Sequence, residues 1–286
     1  MKQLIVNADD FGLHETINLG IVEGYIKGCI TSTSIMAGAP AFNHAAALAA
    51  VHPQLGIGVH LTLVGGLPAA EPGQVISLID KDGLLCSSYP VFLQKFCLAG
   101  VRLEDVRREF TAQVKKVMAA GIAITHLDSH QHMHVVPGII DVVIDIAKQF
   151  AIPALRIPAE PSLFFGGFRP TAGRLIGRLG LSTLANLARP KVRRAGLAAP
   201  EHFYGMLAGG SMNEEILLNI IDNLPNGLSE IMVHPGLDNS VLHQAFGWDY
   251  HWQQELAAVA SRQVMECLAQ RQVKLVSFGS LAVRPV

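Results

Sequence analysis

The sequence of 286 residues predicts an α/β fold, a distorted (β/α) barrel that resembles a TIM barrel. Short runs of β-branched and apolar residues alternate with helical segments, which is typical of parallel strands joined by crossover helices. Several of these runs end in charged or imidazole side chains, and ligands in such folds bind at the carboxyl ends of the strands. We therefore expect one domain, residues 1–286, with its site at that end of about six or seven strands.

The individual elements follow from the periodicity of the apolar residues. The predicted strands lie at 4–6, 30–36, 55–63, 122–125, 154–158, 229–236 and 273–277. The predicted helices lie at 15–27, 45–51, 103–120, 138–150, 213–224 and 249–271. Residues 64–88 contain glycine and proline without clear periodicity, which predicts a long loop on the side of the site.

Composition and charge exclude several classes of protein. The formal charge is −1, which argues against nucleic acid as a partner, because phosphate binding needs clustered positive charge. The four cysteines are scattered and form no CxxC pair, as expected for thiols in a reducing compartment. The chain starts directly with a strand rather than a signal peptide, and no apolar run of about 18 residues predicts a membrane span. We expect a cytoplasmic protein.

The segment THLDSHQHMH at 125–134 contains four histidines and one carboxylate. Side chains alternate along a strand, so His126, Asp128 and His130 would share one face. Imidazole and carboxylate ligands together suit zinc or another divalent ion. For any single histidine, a hydrogen-bonded polar residue at a strand end is an equally good interpretation. The whole cluster favours a metal site, which needs further ligands from other strands.

Two other strands offer such ligands. Asp9 and Asp10 follow the first predicted strand, and both can serve one site only where the strand ends, a placement that Gly12 supports. Paired buried carboxylates are costly unless they bind a cation or share hydrogen bonds, although a helix N-cap would explain one of them. His60 lies within the apolar strand at 55–63, where a lone histidine is usually a core residue. Together with the other two strand ends, it becomes a ligand candidate.

The candidate residues describe metal-assisted hydrolysis of an amide or ester. Asp10, His60 and one histidine of the cluster would leave open positions on a catalytic metal. Asp9 would take a proton from the attacking water, and His234, at the end of another strand, would protonate the leaving group. Arg156 lies in an apolar strand and needs an anionic partner, so it would orient Asp9 or contact the substrate, or else form a purely structural ion pair.

Five motifs resemble those of the YdjC-like carbohydrate deacetylases, over nearly the whole chain. They are NADDFG at 7–12, GIGVHL at 56–61, THLDSHQHMH at 125–134, LRIP at 155–158 and MVHPG at 232–236. The resemblance implies a distorted barrel and removal of an N-acetyl group from an amino sugar by a divalent-metal-dependent hydrolase. Zinc or magnesium is expected ahead of manganese or cobalt.

The resemblance also assigns roles to positions of this chain. Asp10, His60 and His130 match the metal ligands of the family, Asp9 the catalytic base and His234 the acid. The remaining polar residues of the cluster then become partners of the ligands or of the substrate. They are Asp128, His126, His132 and His134.

The segment 169–194 contains seven basic residues and no acidic one, with leucine and isoleucine between them. It predicts a basic helical insertion, which is either a solvated face or a surface for peripheral contact with anionic lipid. With RRAGL at 193–197 and FYGMLAGGSM at 203–212, it is similar to the hopanoid-biosynthesis-associated branch of the family.

Three functions therefore stay open. In the first two, the N-acetylated substrate is either a hopanoid glycolipid or a soluble chitooligosaccharide or related sugar. The DSHQHMH form of the histidine segment is nearer to that of the enzymes that act on soluble sugar oligomers. The third alternative is a metal-dependent protein that binds sugar or lipid without turnover. Membrane association and a homodimer are both compatible with the sequence.

Overall fold

The structure is a computed structural model that describes residues 1–283. Its strands are β1 (Lys2–Phe11), β2 (Ser32–Ile35), β3 (Gly56–Leu61), β4 (Ile124–Ser129), β5 (Ala154–Leu155), β6 (His202–Tyr204), β7 (Gly227–Val233) and β8 (Val273–Leu275). Its helices are α1 (Glu15–Lys27), α2 (Phe42–Val51), α3 (Tyr89–Cys97), α4 (Leu103–Ala119), α5 (Ile139–Gln149), α6 (Ala172–Arg194), α7 (Glu214–Asp222), α8 (Asn239–Ala245), α9 (Trp252–Val259) and α10 (Arg262–Gln270). Short 3₁₀ segments lie at Pro72–Gln74, His130–Val135 and Phe278–Val283.

All strand pairs are parallel, in the order β5-β4-β3-β2-β1-β7-β6, and β8 pairs with the start of β1. A bridge between Ala154 and Ala198 links the two edges of this sheet. There, the amide of Leu155 donates to Ala198 O, and the amide of Ala198 donates to Pro153 O, both at 2.9 Å. The sheet therefore curls into the predicted distorted barrel, whose weakest seam lies between β5 and β6.

Several predicted boundaries are wrong for identifiable reasons. The strand at 154–158 pairs only at Ala154–Leu155, just before the peptide of Pro158, which lacks an amide donor. The helix at 249–271 is broken after Val259, where Ser261 accepts amide hydrogen bonds and starts α10. The helix predicted at 213–224 starts after its N-cap Asn213 and ends at Asp222.

The segment after the histidine cluster also differs from its prediction. The helix predicted at 138–150 begins only at Ile139, because Gly138 has a φ of 85°, and His130–Val135 before it form an irregular 3₁₀ segment. The sequence analysis also missed the short elements β6, α3 and α8. Within residues 1–283, no helix has both the length and the hydrophobicity required to cross a membrane.

The glycines of β3 allow a histidine to pack inside the barrel. A Cβ atom on Gly58 would lie 2.4 Å from the ring of His126 in β4. That ring stacks on Phe278 with centroids 3.8 Å apart, and its Nε2 lies 3.2 Å from Ser34 Oγ. Burial lowers the pKa of His126 to about 3, so the ring is neutral. His126 is therefore a core histidine that fills the space left by Gly58.

We predict that Gly58→Ala lowers the free energy of unfolding by about 1–3 kcal/mol, because the added methyl group overpacks the site of His126. Urea unfolding at neutral pH measures the change. Gly73→Ala is the matched control, because no heavy atom lies within 4 Å of the Cβ position at Gly73. Equal stability of Gly58→Ala and the wild-type protein would contradict this account of the barrel interior.

Candidate metal site and its cavity

Asp9 and Asp10 face one site although β1 continues to Phe11. The register between β1 and β2 shifts between Ala8 and Phe11, which marks a β-bulge. Asp10 has a φ of 67°, a left-handed conformation that non-glycine residues seldom adopt. The sequence analysis expected the strand to stop at this pair, but the bulge is what lets two consecutive carboxylates face the same site.

Asp10, His60 and His130 form a cluster that could hold a metal ion. Their candidate ligand atoms all lie within 4.8 Å of one another. Asp10 Oδ1 is 3.2 Å from His130 Nδ1 and 3.5 Å from His60 Nε2. A carboxylate and two imidazoles are suitable ligands for zinc and for other divalent ions. Since His130 is partly exposed, the cluster is open to a cavity on one side.

Arg156 lies just after β5 and is completely buried. Its guanidinium binds both oxygens of Asp9, at 2.6 and 2.7 Å. It also lies 2.7 Å from Asp128 Oδ2 and donates to Glu230 Oε1 at 2.7 Å. Arg156 was predicted to orient Asp9 or contact the substrate, or else to form a structural ion pair, and it contacts three carboxylates, one of which is Asp9.

This ion-pair network distinguishes between two possible metal groups. Asp9, His60 and Asp128 also lie close enough together to bind a cation. However, Arg156 occupies both oxygens of Asp9, and Asp128 accepts from Ser34 at 2.7 Å in addition to its ion pair. Asp10 is not among the carboxylates bound by Arg156. The ligand set of Asp10, His60 and His130 is therefore the better fit to a metal ion.

The orientation of His60 is set by Asp128, whose Oδ1 lies 2.9 Å from His60 Nδ1. This hydrogen bond leaves Nε2 facing Asp10, as expected for a ligating imidazole supported by a carboxylate. Burial disfavours the charged ring, but the carboxylates of Asp128 and Asp9 outweigh it and raise the pKa of His60 to about 9. These negative charges favour a cation at Nε2, either a proton or a metal ion.

Four buried carboxylates lie at this end of the barrel, namely Asp9, Asp10, Asp128 and Glu230. All of them except Asp10 contact the buried guanidinium of Arg156. Although burial opposes ionisation, His130 and His60 hold the pKa of Asp10 well below its usual range. Burial raises the pKa of Glu230 to about 7, despite its contact with Arg156. The negative charge of these carboxylates thus exceeds the positive charge of Arg156, which is a further reason for a cation to bind here.

His234 follows β7 and lines the same cavity as Asp9, His60 and His130. Its backbone amide donates to the buried carboxylate of Glu255, whose Oε2 lies 3.8 Å from His234 Nδ1. Glu255 also accepts from the amide of Met212 at 3.1 Å. The sequence analysis did not single out Glu255, which lies in a helix remote in sequence. It fixes the position of His234 at the edge of the cavity.

The other histidines of the cluster take different positions. His132 is buried but lines the cavity, whereas His134 bonds Ser129 Oγ through Nδ1 at 2.6 Å and Arg156 O through Nε2 at 3.0 Å. Burial lowers the pKa of His134 to about 4. His134 thus supports the backbone that carries Arg156, as His126 supports the barrel interior. Gln131 and His132 both have positive φ values, which turn the chain sharply after His130.

The cavity has a volume of about 360 Å³ and one aromatic wall. The ring centroid of Trp248 lies 5.7 Å from that of His130 and 5.5 Å from that of Tyr250. Aromatic faces of this kind suit the apolar faces of sugar rings. The sequence analysis placed Tyr250 inside a helix and overlooked both residues. The alternation of aromatic residues at 248, 250 and 252 was the available signal.

Helix α6 borders the same cavity through Arg174. Five of the seven basic residues of the predicted insertion bond to acceptors of the protein itself. They are Arg174, Arg178, Arg189, Lys191 and Arg194. Arg169, Lys191, Arg193 and Arg194 are exposed, so a solvated basic face stays an open alternative. Apolar residues are exposed as well: Ile176 and Leu187 are 72% and 66% exposed, and Leu163 before the helix is 91% exposed.

Comparisons with known proteins find relatives that match this chain over nearly its full length. The profile of the YdjC-like protein family matches residues 3–270. The chain is 30% identical to a carbohydrate deacetylase of Clostridium beijerinckii, over 98% of this chain and 100% of that protein. It is 33% identical to a carbohydrate deacetylase of Brevibacillus brevis, over 98% and 99% of the two chains. A crystal structure of a putative cellobiose-phosphate cleavage protein from Enterococcus faecalis superposes with a TM-score of 0.80, at 27% identity and 99% coverage of both chains.

We predict that Asp10→Ala weakens zinc binding by about 100-fold or more, because one of three ligands is lost. Competition with a chromogenic chelator at neutral pH measures the affinity. Asp82→Ala is the control, because Asp82 is an exposed carboxylate in the loop that follows β3. The ligand assignment is wrong if both variants bind zinc as tightly as the wild-type protein.

Proposed function

Because the chain belongs to the family of YdjC-like proteins, we propose that it is a metal-dependent hydrolase that removes the N-acetyl group from an N-acetylglucosamine-bearing carbohydrate. The observation that carries this proposal is the arrangement of Asp10, His60 and His130 beside Asp9 and His234 in one cavity. The residues that line the cavity come from elements between β1 and the segment before α9, which supports one catalytic domain over residues 1–286.

Asp10, His60 and His130 would hold one divalent cation, with zinc or magnesium ahead of manganese or cobalt as the occupant. Such a cation lowers the pKa of a bound water and polarises the amide carbonyl. Asp9 would accept the proton of the attacking water. Arg156, by its two hydrogen bonds to Asp9, fixes the orientation of that carboxylate at the cavity.

His234 would donate a proton to the amide nitrogen as the C–N bond breaks, so that the amino sugar leaves as an amine. Glu255 supports this role by fixing the backbone of His234. Trp248 and Tyr250 would pack against the sugar ring, and the partly exposed ring of His130 would face the acetyl carbonyl. Asp128 and His132 would orient the ligands and line the substrate site, respectively.

The first test is acetate release from a soluble N-acetylglucosamine oligomer by the zinc-loaded protein. We predict that Asp9→Asn lowers kcat by about 10²–10⁴-fold, because the variant cannot accept a proton. Substrate binding, measured by calorimetry, should change little, since asparagine keeps the size of the side chain and Arg156 retains its ion pairs with Asp128 and Glu230. Asp82→Asn is the exposed control and should release acetate at the wild-type rate.

These measurements also test the alternative that the protein binds sugar without turnover. In that case the wild-type protein would bind the oligomer and release no acetate from it or from a lipid-linked substrate. Release that is unchanged in Asp9→Asn would instead show that another group acts as the base.

A lipid-linked N-acetylglucosamine, such as a hopanoid glycolipid, is the second candidate substrate. The exposed apolar residues Leu163, Ile176 and Leu187 favour it, since they lie on or before the helix that borders the cavity through Arg174. Apolar side chains exposed beside an active site can contact the hydrocarbon part of a substrate or of a bilayer.

We predict that the double variant Ile176→Ser/Leu187→Ser lowers acetate release from a lipid-linked substrate at least about tenfold, because it removes apolar contact area. Release from the soluble oligomer should be unaffected in the same preparation. Leu98→Ser, at another exposed leucine far from α6 in sequence, is the matched control. Equal losses on both substrates would argue against contact between α6 and lipid.

A further inference from the structure

A second cavity, of about 270 Å³, lies next to the first and shares His130 and Trp248 with it. Its lining is mainly apolar and includes Leu13, Met36 and Leu67. It is far larger than one methyl group requires. The two cavities are therefore adjacent and share a wall formed by His130 and Trp248, whose ring centroids lie 5.7 Å apart.

The second cavity adjoins all three residues of the metal cluster. The amide of Leu13 donates to Asp10 O at 3.0 Å, and the hydroxyl of Thr62 donates to His60 O at 3.0 Å. His130 lines the cavity directly. The cavity is therefore built on the same strand ends as the metal cluster, and not on a remote part of the surface.

The side chain of Gln113 in this cavity already has hydrogen-bond partners within the protein. Gln113 Oε1 accepts from the amide of Thr62 at 2.9 Å, and Gln113 Nε2 donates to Thr62 O and to Glu109 Oε1, both at 2.7 Å. Such groups offer little to the hydroxyls of a sugar, which would lose their hydrogen bonds to water on entry. An aliphatic chain has no such cost, so the lining favours a hydrocarbon ligand.

The positions of the acid and the base orient an amide between the two cavities. His234 and Asp9 line the first cavity, and neither is among the described residues that line the second. The amine half of the amide must lie on the side of His234, where its nitrogen is protonated. The acyl half then points away from His234, past His130, towards the apolar cavity.

We infer that the second cavity is an acyl pocket that accepts linear aliphatic N-acyl groups longer than acetyl. This inference rests on the proposed amide hydrolysis at the metal cluster. The reaction is balanced by one water: the C–N bond breaks, the oxygen of water joins the acyl carbon, and the nitrogen takes a proton. The products are a fatty carboxylate and the same free amino sugar that deacetylation releases.

The experiment compares N-acetylated and N-butyrylated forms of one soluble glucosamine oligomer with the zinc-loaded protein. The released amine is the same in both cases and is quantified by an amine-reactive fluorophore. The expected kcat/KM for the butyryl substrate lies between about one tenth of the acetyl value and about 16-fold above it, since each of the two additional methylenes contributes about fourfold when buried.

Two variants test whether this tolerance belongs to the second cavity. Ala39→Phe fills the cavity and should lower the butyryl-to-acetyl ratio of kcat/KM at least about tenfold. Leu67→Ser, at a position that is 62% exposed and so tolerant of substitution, should lower the same ratio by about fourfold or more. Val51→Phe adds the same aromatic ring at an exposed position of α2 and should leave the ratio unchanged.

The outcomes separate this inference from the proposed function. If the wild-type protein hydrolyses the acetyl substrate but the butyryl substrate more than about 100-fold more slowly, the acyl pocket is wrong and the deacetylase stands. An unchanged ratio in both Ala39→Phe and Leu67→Ser would also overturn it. If the protein hydrolyses neither substrate, both the proposed action on soluble sugars and the acyl pocket are wrong.

Discussion

The site depends on one buried guanidinium. Arg156 joins carboxylates from β1, β4 and β7 at the carboxyl end of the barrel, and its guanidinium lies 5.5 Å from the ring centroid of Phe203 in β6. A buried charge of this kind is stable only when its partners are complete, since breaking a buried pair costs about 3–5 kcal/mol. The ion-pair network therefore holds strands from both sides of the weak seam in register while it fixes the orientation of Asp9.

The same residue type takes different charge states within one barrel. His126 and His134 have neutral hydrogen-bond partners, and burial lowers the pKa of each well below its usual value. His60 is equally buried, yet its carboxylate neighbours raise its pKa to about 9. The difference lies in the partners and not in the burial, because Coulombic attraction outweighs desolvation only where several carboxylates converge. That convergence is also what makes His60 a suitable ligand.

The barrel and the segments outside it contribute different parts of the site. Strand ends carry Asp9, Asp10 and His60, which are positioned by the hydrogen-bonded sheet and its bulge. The cavity walls come from outside the sheet. Trp248 and Tyr250 lie between α8 and α9, and Glu160 accepts the backbone amides of Gly205 and Leu207 near the cavity. The chemistry thus lies on the rigid part of the fold, while the shape of the cavity depends on its connections.

The sequence alone determined the order of the main strands, the barrel class and the candidate residues at strand ends, because period-2 apolar runs and clustered histidines are local signals. Only the tertiary structure decided which carboxylates remain open to a cation, since Arg156 and Asp9 are 147 residues apart and their pairing has no local trace. The aromatic wall, Glu255 and the second cavity likewise depend on contacts between distant elements. The local sequence pattern specifies the secondary-structure elements, whereas the net charge and the shape of a site are properties of the packed barrel.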